Sequence, residues 1–297
     1  MSTMLHNGIQ LRWLNTAGFE MILPSGSHLL VDPWLDHSDI YPISIDDIQQ
    51  ADYILLSHVH FDHAQDTAPL LKKFPKAKLL VGDLSTDALC QDYPISLTNI
   101  YRIRSGEVYE FDDIKINVYA GRHTENAKGA YRPAKFASDD VTSFNAPTNW
   151  YGSMELNNFL ITTDDGTQVL IWAGQTTADQ KHRFARLYPD IALMHLSPKQ
   201  DPSAFADMVK AMGAKVVIPH HHDMTAPLFN SRPDLVNLML SEEAKAAYIV
   251  DGKFSSDAFV GRFKEAIKAQ VPGCDMMELE HHTWYHFGLA FETIKNV

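Results

Sequence analysis

Short apolar runs separated by turn residues dominate the start of the chain. The runs IQLRWL, FEMIL and HLLVDP (9–14, 19–23 and 28–33) predict strands, and PSG at 24–26 predicts a hairpin turn. From residue 53 onward, strand-like runs alternate with amphipathic ones: YILLS precedes AQDTAPLLKKF, and KLLVG precedes STDALCQ. This pattern predicts an N-terminal meander that continues into α/β alternation.

The rest of the chain continues with strands and helices. VYEF, IKINVYA, NNFLITT, QVLIWAG, IALMHL and KVVIPH predict strands, and helices are predicted at 178–187, 202–212, 232–247 and 256–269. No linker separates the two halves, so we predict one α/β domain over residues 1–297. Residues 124–152 lack periodicity, and an aperiodic segment of this length is typical of a functional loop or lid.

Composition narrows the function classes. The formal net charge of −12 disfavours nucleic acid as a partner, because phosphate binding needs a basic surface. The only two cysteines, Cys90 and Cys274, form no CxxC pair and favour a reducing compartment. No segment reads as a signal peptide or reaches the roughly 18 apolar residues of a membrane span. We expect a cytoplasmic protein with a small-molecule substrate and no membrane span; its oligomeric state stays open, a homo-oligomer included.

The stretch LLSHVHFDHAQD, residues 55–66, carries the strongest chemical signal. It follows a predicted strand, where loops of an α/β sheet present side chains to a ligand. Imidazole and carboxylate groups suit zinc, iron or manganese. His58 and His60 project to the same side of an extended segment and can bind one ion, while Asp62 and His63 face another. A histidine-rich surface loop is the alternative, but four ligand-type residues in six positions favour a metal site.

This HxHxDH stretch resembles the metal-binding motif of the metallo-β-lactamase superfamily. Residues 13–36, a predicted meander closed by Asp32 and Pro33, are similar to the opening of that family. Within the superfamily the chain is most similar to the branch that contains ascorbate-6-phosphate lactonase and N-acyl-phosphatidylethanolamine phospholipase D. The resemblance implies an αββα sandwich with metals at one edge of two facing sheets, and a metal-dependent hydrolase.

The resemblance also implies ligands further along the chain. His123 falls where the third histidine of the first site belongs, and His221 matches a strand-end histidine by its Ile-Pro-x-His spacing. Alternation along a strand places His221 opposite His220 and His222. Asp32 matches an aspartate that orients the ligand loop, with a turn-capping role as the alternative. The expected cofactor is one or two divalent ions per chain, zinc first, with manganese or iron as alternatives.

One position departs from the family pattern. IWAGQTT places Gln175 where the family has an aspartate that bridges two metals. A carboxylate at that range contributes on the order of a few kcal/mol per ion at an effective dielectric near 20. The glutamine oxygen can coordinate but is neutral, so we predict that one ion predominates. A fully decayed site is the alternative, which the retained ligands argue against.

These residues predict hydrolysis. An ion on His58, His60 and His123 with an open fourth position would lower the pKa of a bound water, which Asp62 would orient or deprotonate. The expected substrate is a small anionic lactone or ester. Phosphodiester hydrolysis and a non-catalytic metal-binding or ligand-sensing domain are the alternatives.

Substrate contacts are expected from the 124–152 segment, which mixes cations with aromatic residues. The candidates are Tyr131, Arg132, Lys135 and Trp150. A solvated charged loop is the alternative for this segment. The late histidines His281, His282 and His286 match no family position and are expected to pack or to lie at the surface.

Overall fold

A computed structural model of the chain describes residues 3–4, 8–92, 95, 97–123, 155–288 and 290–291. The loop or lid predicted at 124–152 lies outside the described residues. Its four substrate-binding candidates, which remain predictions, are Tyr131, Arg132, Lys135 and Trp150. Within the described part, no helix is long and apolar enough to cross a membrane.

Six strands from the first half of the chain and one from near its C-terminus form a seven-stranded sheet in the order β17-β2-β3-β4-β5-β6-β7. Strands β2 to β4 are antiparallel, as expected for a meander, and β4 to β7 are parallel. The strands are β2 (Ile9–Asn15), β3 (Gly18–Ile22), β4 (His28–Val31), β5 (Tyr53–Leu55), β6 (Lys78–Gly82), β7 (Ile100–Ile103) and β17 (Trp284–Phe287).

A second seven-stranded sheet has the order β16-β13-β12-β11-β10-β9-β8. Its strands are β8 (Val108–Glu110), β9 (Ile114–Ala120), β10 (Asn157–Thr163), β11 (Gln168–Trp172), β12 (Ile191–His195), β13 (Val216–His220) and β16 (Asp275–Met276). Two short pairs lie outside these sheets, β1 (Thr3–Met4) with β18 (Ala290–Phe291) and β14 (Ile249–Val250) with β15 (Lys253–Phe254).

Helices cover the outer face of each sheet. Near the first sheet lie α1 (Phe61–Ala64), α2 (Thr67–Lys73) and α3 (Asp83–Asp92), with 3₁₀ turns at Ile45–Asp47 and Leu97–Asn99. The later helices are α4 (Ala178–Phe184), α5 (Pro202–Met212), α6 (Thr225–Ser231), α7 (Pro233–Met239), α8 (Glu242–Tyr248) and α9 (Ser256–Gln270).

Strand alternation divides the core into layers. In β4, Leu29 and Val31 belong to the cluster between the sheets, whereas Leu30 packs with α2 and α3 residues on the outer face. In β11, Val169 faces the first sheet, and Trp172 packs toward α4 and α5. Because successive side chains of a strand point to opposite faces, both sheets are buried on two sides. The predicted αββα sandwich is confirmed.

One helix prediction is wrong. The helix expected at 232–247 is two helices, α7 and α8, separated at Leu240 and Ser241. The hydroxyl of Ser241 accepts a hydrogen bond from the backbone N–H of Ala244 at 3.1 Å and caps α8. A serine that caps a helix starts a new one, which apolar periodicity alone does not reveal.

The topology brings the predicted ligands to one edge. Strand β9 is antiparallel to β10, which is antiparallel to β11, while β11, β12 and β13 are parallel. The carboxyl ends of β9, β11, β12 and β13 therefore meet at the same edge of the second sheet. In the first sheet, the carboxyl end of β5 leads into the HxHxDH stretch.

Candidate metal centre

The HxHxDH stretch changes from extended to helical backbone within a few residues. His60 lies at φ −65° and ψ 156°, an extended conformation, immediately before α1. Asp62 and His63 lie inside the one-turn helix that follows. All four side chains are buried. The change of backbone separates the two pairs of side chains, as the sequence predicts.

A first cluster of donor atoms joins this stretch to the end of β9. His58, His60 and His123 each offer a ring nitrogen, and these nitrogens all lie within 4.8 Å of one another. The Nε2 atom of His58 is 3.0 Å from Nδ1 of His60. The His60 and His123 rings meet edge to face, with centroids 4.6 Å apart.

A second cluster joins α1 to the end of β13. Asp62, His63 and His221 also offer donor atoms within 4.8 Å of one another. Nε2 of His221 is 3.3 Å from Oδ2 of Asp62, and Nε2 of His63 is 3.7 Å from the same oxygen. His221 has a left-handed φ of 65°, which turns the chain directly after the strand. The choice of His221 from the HHH run therefore agrees with the geometry.

Asp32 lies behind both clusters. Its Oδ1 accepts a hydrogen bond from the backbone N–H of Ser57 at 2.7 Å, and its Oδ2 accepts one from the Ser57 hydroxyl at 2.5 Å. The same Oδ2 lies 2.9 Å from Nδ1 of His63. The Ser57 oxygen is 3.0 Å from Nδ1 of His58. Because its proton goes to Asp32, the Ser57 oxygen accepts from His58 Nδ1–H, which leaves a lone pair on His58 Nε2.

Burial sets the charge of the first cluster. The pKa of His58 is held well below its usual value by burial and by the neighbouring histidines His63, His60 and His123. Burial also holds the pKa of His60 well below its usual value, with His123 adding to the effect. Both rings are therefore neutral near pH 7, and the neutral ring is the form that binds metals.

The second cluster, unlike the first, contains a charged side chain, the carboxylate of Asp62. Burial alone would raise the pKa of Asp62, but His63 and His221 outweigh it and lower that pKa. Burial opposes protonation of His63, yet Asp62 and Asp32 outweigh it and raise the pKa of that ring. Asp62 is thus an ionised carboxylate buried among imidazoles.

This donor set fits a divalent transition metal. Neutral imidazoles with a carboxylate are ligands of zinc, iron and manganese sites. The buried Nε2 of His60 has no hydrogen-bond partner among the residues that the structure describes, although buried polar atoms are normally paired. An ion at the first cluster would satisfy this atom.

Gln175 lies at the same edge but in a different environment. It follows Gly174 directly after β11, and its backbone N–H donates to the carbonyl of Arg122 at 2.8 Å. Gly174 lines the cavity beside the histidines, whereas Gln175 is not among its lining residues. Coordination by the Gln175 side chain therefore remains a prediction.

His195 was not selected from the sequence. It is the last residue of β12, lines the cavity, and has its ring 4.7 Å from the ring of His221. Burial, together with His221 and His220, holds its pKa well below the usual value. The available signal was a histidine near the end of the predicted strand IALMHL, in the sheet that also carries His123 and His221.

Two further histidines, His220 and His281, make structural contacts. Nε2 of His220 donates to the carbonyl of Trp172 at 3.1 Å. His281 is stacked between Trp13 and Tyr41, with ring centroids 3.9 and 3.7 Å away. Its Nε2 lies 3.1 Å from a carboxylate oxygen of Asp223. Of the late histidines, which were expected to pack or to lie at the surface, His281 packs.

A cavity of about 160 Å³ opens over both clusters. Its wall away from the histidines is largely apolar, with residues from the end of β12 and from α6 and α7. These wall residues include Leu156, Leu196, Met224, Leu228, Phe229 and Met239. Among its described lining residues there is no lysine or arginine.

Two packed sheets with two clusters of metal-binding side chains at the carboxyl ends of their strands are typical of a metallohydrolase fold. Known proteins agree with this class. The beta-lactamase superfamily domain matches residues 10–221 of the chain. The UPF0173 metal-dependent hydrolase of Koribacter versatilis is 25% identical over 230 residues, covering 76% of this chain and 89% of that protein.

Solved structures share the fold at low sequence identity. Igni18, a metallo hydrolase from Ignicoccus hospitalis, superposes with a TM-score of 0.60 at 16% identity, covering 96% of this chain and 99% of that one. An isothiocyanate hydrolase from Delia radicum gut bacteria gives a TM-score of 0.59 at 14% identity, covering 94% of this chain and all of that one (100%).

The chain belongs to the metallo-β-lactamase superfamily, because the family domain spans most of its length. The predicted class, a metal-dependent hydrolase of this superfamily, is confirmed at that level.

Proposed function

We propose that this chain hydrolyses a small lactone or ester that carries an anionic group, using a divalent metal, zinc first, at the His58, His60 and His123 cluster. The observation that carries the proposal is the pair of donor clusters on the floor of one cavity. The resemblance of the sequence motifs to the branch with ascorbate-6-phosphate lactonase, which is itself part of this proposal, favours the same substrate class. A cytoplasmic location belongs to this proposal.

The metal ion and Asp62 have different roles in the proposed reaction. When bound, a divalent ion supplies Lewis acidity, which activates water and polarises a carbonyl. Asp62 is held in place by its contacts with His63 and His221. Because these neighbours lower its pKa, Asp62 is a weak base, so it accepts a hydrogen bond from the attacking water and orients it.

The proposed substrate has an apolar portion, which the described cavity wall supports, and an anionic end. The apolar side chains of α6 and α7, among them Leu228, Phe229 and Met239, favour an acyl or ring portion without charge. Arg132 and Lys135, cations of the 124–152 segment, are proposed to bind the anionic end.

Metal binding is tested first. The double variant His58→Ala and His60→Ala is expected to lose the tightly bound ion, because it removes two of the three first-cluster donors. Elemental analysis of purified protein measures this, and His182→Ala, at an exposed position of α4, is the matched control. One equivalent of metal retained by the double variant would refute the centre.

A substrate panel then tests the reaction. Metal-loaded protein is assayed with lactones, carboxylic esters and phosphodiesters, each with and without an anionic group. Turnover of anionic lactones or esters supports the proposal. Turnover of phosphodiesters alone favours the phospholipase-like activity, and metal binding without turnover of any of them favours a ligand-sensing domain, for which the neutral Gln175 is the main argument.

A further inference from the structure

His195 lies between the Gln175 segment and His221, a member of the second cluster. It ends β12, which pairs with β11 on one side and β13 on the other. These neighbouring strands lead to Gln175 and to His221. A side chain at this position is therefore near the site of the carboxylate that the family has and this chain lacks.

A hydrogen bond sets the tautomer of His195. Its Nδ1 lies 3.1 Å from the carbonyl oxygen of Gly174. A carbonyl oxygen only accepts, so Nδ1 carries the proton and Nε2 carries the lone pair. Histidines that bind metals usually donate their other ring N–H to a carbonyl or carboxylate in this way.

The placement of the His195 ring matches that of the clustered histidines. It meets the His221 ring at 4.7 Å and 86°. In the first cluster, the His60 and His123 rings meet at 4.6 Å and 81°, and the His58 and His60 rings at 4.5 Å and 76°. The ring contact between His195 and His221 therefore has nearly the same centroid distance and angle as the ring contacts within the first cluster.

We propose that His195 is a metal ligand, added to Asp62, His63 and His221 at the second cluster in place of the missing bridging carboxylate. The inference rests on the proposed metal centre. Imidazole is neutral, so the two clusters together would offer two ions a single carboxylate ligand, Asp62. We therefore expect two ions of unequal affinity rather than the single predominant ion expected from Gln175 alone.

The test measures metal binding directly. Metal-free wild type and His195→Ala are titrated with Zn²⁺ against a chromophoric chelator, and with Co²⁺ while the visible spectrum is recorded. Wild type is expected to bind two ions. His195→Ala is expected to keep the first ion and to bind the second at least about 100-fold more weakly. Loss of a partner that only orients a ligand costs about 10- to 100-fold in metal affinity, and loss of a ligand should cost no less. The Co²⁺ bands of the second ion should change with it.

The outcomes separate the two proposals. His182→Ala, which removes an exposed histidine of α4, should bind both ions as wild type does. Retention of the first ion shows that His195→Ala is folded at the site. Two outcomes overturn the role of His195 alone. In one, His195→Ala binds the second ion with the affinity and spectrum of wild type. In the other, wild type binds only one ion and the variant binds that ion equally well. A wild type that binds no ion overturns the proposed metal centre instead.

Discussion

Asp32 acts through the residues that it orients. One carboxylate receives both hydrogen bonds of Ser57 and contacts His63. Through Ser57 it also determines which nitrogen of His58 bears the lone pair. Asp32 itself has a φ of 44°, a conformation that aspartate and asparagine tolerate better than most residues. The residue therefore links the start of the ligand stretch to both clusters.

Asp32→Asn tests this link. Asparagine keeps the size and the backbone conformation, but its amide N–H₂ faces groups that donate to Asp32. We expect metal affinity to fall by about 10- to 100-fold, the usual effect of losing an orienting partner. Chelator competition measures it, with the exposed Asp39→Asn as the matched control. Equal affinities in the two variants would reduce Asp32 to a turn-capping residue.

The site residues that the sequence revealed share one property. His58, His60, Asp62 and His63 lie in a short motif, and His123 and His221 lie at strand ends where the resemblance places ligands. His195 lies at a strand end too, but no motif spacing marks it. Its hydrogen bond to Gly174 depends on how two strands pair, and a linear pattern does not contain that information.

At the level of elements, the segment after β11 holds the site edge together. Gly174 pairs with Arg122, the residue before His123, in an isolated parallel bridge. Its φ is 99°, and a Cβ there would lie 2.3 Å from the carbonyl oxygen of Arg122. Its own carbonyl accepts hydrogen bonds from His195 and from Gln200. Glycine is required here by both conformation and space.

Gly174→Ala should therefore cost stability and metal affinity together. Gly166→Ala is the matched control, because Gly166 has a φ of 88° but nothing within 4 Å of its would-be Cβ. The control is expected to lose about 1–2 kcal/mol from backbone strain. Gly174→Ala should lose about 1–3 kcal/mol more from the close contact, and also weaken the second ion. Denaturant unfolding and chelator titration measure both, and equal losses would show that strain alone matters.

Element prediction succeeded where the pattern is local. Strand β6 begins and ends where KLLVG predicts, and α5 matches the expected 202–212 helix. The predicted helix at 232–247 was wrong, since a serine cap interrupts it. Strand β17 was not predicted, because WYHF is half exposed and joins the sheet only by pairing with β2 from the far end of the chain.

At the scale of the whole molecule, the site depends on contacts between the two sheets. The backbone N–H of Asn157 in the second sheet donates to the carbonyl of Ser57 at 2.8 Å, and that of His221 donates to Thr16 at 2.8 Å. The backbone N–H of Thr16 in turn donates to Asp223 at 2.7 Å. The two clusters therefore keep their separation only while both sheets are packed together.

Burying neutral histidines makes the folding of the whole chain sensitive to pH. Burial lowers the pKa of His222 to about 4 in the folded protein, whereas a histidine in an unfolded chain titrates near ~6.5. Below about pH 6.5 the unfolded chain thus binds more protons than the folded protein. The contribution of neutral His222 to stability is therefore fully present above about pH 6.5 and is lost as the pH drops toward 4. The pKa values of His58, His60, His195 and His220 are lowered in the same direction, and only His63 opposes them among the described histidines with a shift.

We expect the free energy of unfolding of the metal-free protein to fall steeply between pH 7.5 and 5. His222, with its pKa near 4, contributes about 2 kcal/mol of this fall, since one pKa unit corresponds to about 1.4 kcal/mol. His222→Gln removes one titrating group and should make the fall smaller by about that amount, whereas His182→Gln, at an exposed position, should leave it unchanged. Urea unfolding of the three proteins across this interval gives the slopes. If the unfolding free energy of His222→Gln falls with pH as steeply as that of wild type, the pKa of His222 does not differ between the folded and unfolded states. The acid sensitivity would then arise from other residues of the sandwich.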